Sequence, residues 1–196
     1  MSAEKRTYRM TRRAELEAET RLRITESAAA LHERLGPART TVSAIAEHAG
    51  VRRSTVYRHF PDEEALFDAC STHWRAANPP PDLSEWYAER TEEALRELYA
   101  FYGRTCAMYT SLFRDEAVVP IVKRRLAAFR GYLDAAADTL MRGRGLRGGA
   151  ARRTRATLGH AVAFTTWRSL VQEQKLDPDV AASLMCRLVE DAGRAP

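Results

Sequence analysis

In the tract TTVSAIAEHAGVRRSTVYRHF, residues 40–60, the small residue Ala46 stands four positions before Gly50. Apolar residues follow five and ten positions after Ala46, at Val51 and Val56. That spacing is demanding. A small side chain lets two helices cross closely, and a glycine four later takes the left-handed backbone that turns the chain between them. Thr41 is the predicted N-cap of a first short helix, 41–49, with Gly50 as its stop. A second helix is predicted over 52–59, closed by Pro61. Ile45, Val51 and Val56 supply the apolar contacts that hold the pair to the helix before it. The tract therefore reads as a helix-turn-helix.

The rest of the chain suits an all-α fold. Glycine (10) and proline (8) are scarce among 196 residues, and long alternating apolar and polar runs are missing. Leu16, Ile24, Ala28, Leu31 and Leu35 recur at helical spacing over 13–35, and Gly36-Pro37 ends that run. Asp62 caps a helix reaching to 77, with acids in its first turn. NPPPDLSEW, 78–86, is the strongest break, because three consecutive prolines cannot continue a helix. Helices are predicted beyond it at 84–98, 100–113, 116–141, 152–174 and 178–192, with RGRGLRGGA (142–150) as a mobile connection. The expected division is a flexible basic arm (1–12), a three-helix head with its connecting helix (13–77) and a helical bundle (78–196).

Residues 1–60 hold 12 Lys and Arg against 7 Asp and Glu, whereas the remaining residues balance 19 against 19. The whole net charge of +5 thus sits in the first third, which points to an anionic partner there. No apolar run has the length of a membrane span, and the N-terminus lacks the apolar stretch of a secretion signal. Cys70, Cys106 and Cys186 lie far apart and form no metal-binding spacing. A cytoplasmic chain without cofactor or structural metal is expected. No catalytic arrangement emerges, so an enzyme is the disfavoured reading.

At 100° per residue Arg53, Ser54, Tyr57 and Arg58 share one side of the second short helix, while Val56 and Phe60 hold it down. A helix of this width enters a DNA major groove, where arginine bonds guanine and hydroxyls reach phosphates or base edges. Thr40 and Thr41 stand at a helix N-terminus, where free N–H groups attract a phosphate. A double-stranded DNA partner follows.

The stretches RITESAAALHERLG and TTVSAIAEHAGVRRSTVYRHFPDEEALF, within residues 21–70, resemble the tetracycline-repressor (TetR) family of bacterial regulators. The resemblance implies a homodimer on a pseudo-palindromic operator, with Arg53, Ser54 and Tyr57 reaching bases. It places Thr41, Thr55, Arg58 and His59 nearer the phosphates. Two positions depart from the family pattern. Arg52 replaces the usual Ser, removing an N-cap and adding a charge, and Glu63 replaces the usual Lys.

The resemblance also implies a body that dimerises, through 152–174 and 178–192, and binds a small effector. Val180, Leu184 and Leu188 form one apolar line on the last helix, beside Ala181, Met185 and Ala192. Such sites are mostly apolar with a few polar groups. Trp86, Phe101, Tyr102, Tyr109, Phe113, Phe129, Phe164 and Trp167, with Cys106 and His160, are the candidate lining for an apolar or aromatic effector. Each aromatic also suits plain core packing. The expectation is a ligand-responsive repressor. The alternatives are an effector-independent activator or architectural regulator, and a small-molecule-binding protein that has lost DNA binding.

Overall fold

The structure, a computed structural model, describes residues 3–194, of which none lies in a strand. Contacts divide the chain into two compact units. The first comprises residues 1–79 and 107–123, and the second 80–106 and 124–196.

The first unit opens with α1 (Ala3–Leu35). Residues 3–12, expected as a flexible arm, continue this helix, and residues 1–2 lie outside the described residues. The reason is local: no glycine or proline occurs before Gly36, and helix formers dominate. Gly36 stops the helix at φ 87°, and a 3-10 turn, Pro37–Arg39, follows. Next come α2 (Val42–His48) and α3 (Arg53–His59). Gly50 turns the chain between them at φ 65°, and Val51 N–H donates to Ala46 O at 2.9 Å across the turn. The Thr41 hydroxyl accepts the Ala44 N–H at 3.1 Å, as expected of an N-cap. Asp62 caps α4 (Glu63–Ala77) through the Ala65 N–H at 2.7 Å. Ile24, Ala28, Leu31, Val42, Ile45, Ala46, Val56, Phe60, Leu66 and Cys70 form the buried core.

Residues 84–98 and 100–113, read from the sequence as two helices, resolve differently. Leu83–Glu85 and Ala88–Arg90 are 3-10 turns, and α5 (Thr91–Asp115) is one continuous helix. Its last turns belong to the first unit, where Ser111 donates to Glu33 O at 3.0 Å and Arg114 to Leu35 O at 2.8 Å. The Asp115 carboxylate accepts the Ala38 N–H at 3.0 Å. Hydrogen bonds from Arg114, together with Ala38, hold that carboxyl below the usual carboxylate range against the effect of its burial.

α6 (Pro120–Met141) starts on its proline, where a missing N–H costs nothing, and its residues from 124 onward belong to the second unit. The Tyr132 hydroxyl donates to Pro81 O at 2.9 Å and ties down the triple-proline segment. α7 (Gly148–Ala161) ends where the sequence predicted an unbroken helix. The chain resumes as α8 (Phe164–Trp167) and a π-helical stretch, Arg168–Glu173, before α9 (Pro178–Arg194) packs on α7. Hydroxyls of Tyr99 and Tyr102 take up the carbonyls of Ala161 and Val162 freed at this break. The 142–147 connection, expected to be mobile, is anchored by Arg144. Its buried guanidinium donates to Leu140 O at 2.9 Å, Glu190 Oε1 at 2.7 Å, Ala88 O at 3.3 Å and the Thr91 hydroxyl at 2.5 Å.

Candidate nucleic-acid interface and effector site

α3 is seven residues long, too short to be helical alone. Val56 and Phe60, each 1% exposed, hold it to the core. Arg52, Arg53, Ser54, Tyr57 and Arg58 are exposed, and Thr55 and His59 are half-buried. Arg52 occupies the N-cap position without any side-chain cap bond, as its replacement of serine implied. Arg53 Nη2 donates to the Tyr57 hydroxyl at 3.2 Å, and its guanidinium lies 5.5 Å from the Tyr57 ring centre. These two side chains therefore present one joint surface.

The expected phosphate group is less uniform. Thr41 is exposed, and its capping role uses only a lone pair, which leaves the hydroxyl proton to donate. The Thr40 hydroxyl is already committed as a donor to Gly36 O at 2.8 Å. Burial, then the Arg58 and Arg21 charges, lowers the pKa of His59, so its ring favours the neutral form. Its Nε2 finds no hydrogen-bond partner among the described residues.

Two arginines outside the expected set support this surface. Arg21 donates to His59 O at the end of α3, and its guanidinium lies 4.1 Å from the Phe60 ring centre. Arg23 donates to Ala49 O at 3.0 Å, at the end of α2. A cation at a helix C-terminus answers unpaired carbonyls and the negative end of the helix dipole. The partners lie 38 and 26 positions away, so no local signal in the sequence reveals them.

The candidate effector residues separate between the two units. Tyr109 and Phe113 belong to the first, where Tyr109 meets the Trp74 edge at 5.9 Å between ring centres and packs beside Phe113. In the second, Tyr102 is the hub of an aromatic cluster, with Phe164 at 5.3 Å, Trp167 at 5.8 Å, Phe101 at 5.8 Å and Phe129 at 6.4 Å. Trp167 is 1% exposed and its Nε1–H has no hydrogen-bond partner among the described residues. Trp86 is buried but donates to Glu97 at 2.9 Å. Cys106 is half-buried, and His160 is exposed with its ring against the Thr166 hydroxyl at 3.2 Å. A cavity of about 720 Å³ in the second unit has a charged lining that includes Glu89, Glu92, Glu190 and Arg144, and none of the expected aromatics. No group of three or more His, Cys, Asp or Glu among the described residues is placed to hold a metal ion. No helix among them is long and apolar enough to cross a membrane.

Residues 24–70, which hold α2, α3 and their support, match the family described as "Bacterial regulatory proteins, tetR family". No curated protein matches the chain in sequence. Solved structures share its fold at low identity. A TetR-like transcriptional regulator from Rhodococcus sp. RHA1 is 18% identical with a TM-score of 0.63, over 90% of this chain and 97% of that one. The multidrug binding protein EbrR, solved with imidazole, is 22% identical with a TM-score of 0.57, over 87% and 89%. NalD, the secondary repressor of the MexAB-OprM multidrug efflux pump in Pseudomonas aeruginosa, is 23% identical with a TM-score of 0.53, over 89% and 95%. Residues 24–70 thus match the head of the tetR family of bacterial regulatory proteins, and the all-helical fold is the one seen in these solved regulators.

Proposed function

We propose that this chain is a DNA-binding transcriptional regulator of the TetR family, a ligand-responsive repressor that binds a pseudo-palindromic operator as a homodimer. The observation that carries the reading is the division of labour on α3, where Val56 and Phe60 face the core and Arg53, Ser54, Tyr57 and Arg58 face solvent. Arg53, Ser54 and Tyr57 read bases. Thr41, Thr55, Arg58 and Arg52 meet phosphates and His59 is a neutral partner, while Thr40, whose N–H donates to Pro37 O at 3.2 Å, stands at the turn before α2. The head is 13–77 and the effector and dimer body is 78–196.

Dimerisation is supported by α9. Val180 and Leu188 are exposed and Leu184 half-buried on one line, whereas Ala181, Met185 and Val189 are buried on the line beside it. An effector site is supported by the Tyr102 cluster and by the unpartnered Trp167 Nε1–H, which an acceptor atom on an apolar or aromatic molecule satisfies. Effector binding shifts the population toward dimers whose recognition helices no longer stand one helical turn, about 34–36 Å, apart. The protein is a cytoplasmic binding protein and not an enzyme.

Fluorescence anisotropy with the DNA upstream of the gene, against a scrambled duplex at two salt concentrations, tests the reading. Preference for the upstream duplex at the higher salt, lost on adding an apolar or aromatic compound, is expected. Equal and steeply salt-dependent binding to both duplexes would mean phosphate contact alone. Specific binding that no compound releases would favour an effector-independent regulator.

A further inference from the structure

The cavity of about 720 Å³ in the second unit lies where three stretches of the chain meet. They are the turn and first residues of α5, the connection between α6 and α7, and the last turns of α9. Small-molecule sites span about 300–1,000 Å³, so the size is suitable. None of the walls comes from the Tyr102 cluster. The carboxylates of Glu89, Glu92, Glu93 and Glu190 line the cavity against the guanidiniums of Arg144 and Arg194, which leaves two negative charges in excess.

These carboxylates are not equivalent. Glu190 is taken by Arg144 at 2.7 Å, and Glu92 by Arg96 at 2.6 Å and the Ser183 hydroxyl at 2.8 Å. Glu89 and Glu93 are exposed and form no ion pair among the described residues. The excess charge is felt inside the cavity as well as at its rim. Burial, then the Glu190 and Glu92 charges, pushes the half-buried Cys186 thiol above its usual range, with Arg144 opposing and Glu93 adding to the effect. Negative charge therefore outweighs the Arg144 guanidinium at the thiol.

An independent feature lies behind the same wall. Thr154 on α7 is 0% exposed, and its Oγ1 has no hydrogen-bond partner among the described residues. A helical threonine ordinarily donates to a carbonyl one turn back, as Thr157 does to Arg153 O at 2.9 Å. The Thr154 oxygen instead faces Gly193, 3.4 Å from the point where a Cβ on that residue would stand. Leu146 Cδ1 lies 3.2 Å from the same point, and Gly193 and Leu146 both line the cavity. Because position 193 carries no side chain, the buried hydroxyl is aimed at the cavity.

The excess of carboxylates disfavours an anion. A metal ion does not suit the walls either, since no group of three or more His, Cys, Asp or Glu among the described residues is placed to hold one. An ammonium group offers three donors, which carboxylates and a hydroxyl oxygen accept. Two excess charges call for two such groups, joined by a chain that covers Leu146 and Ala88.

We propose that this cavity binds a small aliphatic di- or polyamine, its ammonium groups taken by the Glu89 and Glu93 carboxylates and the Thr154 hydroxyl. The site stands apart from both the operator and the effector readings.

The test is calorimetric titration of the full chain with spermidine at about 0.15 M salt, where loose surface attraction is screened. Saturable binding at one site per chain is expected. Glu89→Gln with Glu93→Gln keeps size and helix propensity while removing both charges. It should weaken binding by about ten- to a hundredfold, the range of one charge-assisted hydrogen bond, with each single substitution losing part of that. Thr154→Val keeps the shape and removes the hydroxyl. It should weaken binding severalfold without lowering the melting temperature of the amine-free protein, a combination that a merely structural hydroxyl does not give. Putrescine should displace spermidine, and Mg²⁺ at equal ionic strength should not. No saturable binding up to about 10 mM overturns the inference, and so does unchanged affinity in either the double glutamine variant or Thr154→Val. Displacement by Mg²⁺ as effective as by putrescine also overturns it, in favour of general screening by cations.

Discussion

His32 Nδ1 lies 3.4 Å from Cys70 Sγ, with the two residues 7% and 2% exposed inside the first unit. Burial lowers the His32 pKa to about 4, against a smaller opposing pull from the Asp115 charge. The imidazole of the unfolded chain takes up its proton near pH 6.5. Between those values the unfolded state binds more protons, so stability is complete above about pH 6.5 and is lost as the pH falls toward 4. The loss attributable to this ring is on the order of 3 kcal/mol. Urea midpoints at pH 7 and pH 4.5 should differ less in His32→Gln than in the wild type. Equal pH dependence in the two proteins would remove His32 as the source.

The Arg53–Tyr57 pair makes a second prediction. Tyr57→Phe keeps the ring under the guanidinium but removes the 3.2 Å hydrogen bond, so it should reduce operator preference modestly. Arg53→Ala should cost about ten- to a hundredfold on the operator, the range of one good bidentate base contact, and little on scrambled DNA. Titration of both variants against both duplexes decides this. Full operator affinity in Arg53→Ala would show that α3 reads bases through other residues.

Arg144 should matter to stability far more than a loop arginine does. Arg144→Ala strips donors from Leu140 O, Ala88 O and the Thr91 hydroxyl and leaves Glu190 unpaired. Destabilisation by about 2–4 kcal/mol is expected, with Arg144→Lys recovering only part. Denaturant unfolding reads the effect directly, and a change below about 0.5 kcal/mol would mean that the loop does not depend on this anchor.

On α9, placing charges on the exposed apolar line separates its two faces. Val180→Glu with Leu188→Glu should convert a dimer to monomers in light scattering while the helical content stays native, because the buried residues Ala181, Met185 and Val189 are untouched. Operator affinity should fall with the dimer, since two half-sites are then no longer bound together. A variant that remains dimeric would place the interface elsewhere.

Features written in adjacent residues were legible in the sequence. Thr41 and Asp62 cap their helices, Gly50 turns the chain, and Arg52 leaves its helix uncapped. Features settled by distant partners were not. The break after Ala161 has no proline, Gly159 beside it lies within α7, and its carbonyls are answered by Tyr99 and Tyr102, about sixty positions earlier. α5 was divided in the sequence reading, although Gly103 is the only glycine within it and the helix carries straight through. The 142–147 loop looked mobile because its glycines are visible in the sequence and the partners of Arg144 are not. On the candidate interface the outward face of α3 followed from periodicity, while the support from Arg21 and Arg23 required the fold.

The separation of tasks on α3 bears on how such a regulator diverges. The side chains that seat this helix, Val56 and Phe60, are not those that face solvent, Arg53, Ser54, Tyr57 and Arg58. Changes at the outward positions leave the seat intact, so a duplicated copy can drift toward a new target sequence without first crossing an unfolded intermediate. The same independence makes those four positions the natural library for retargeting the protein, with the seat left untouched.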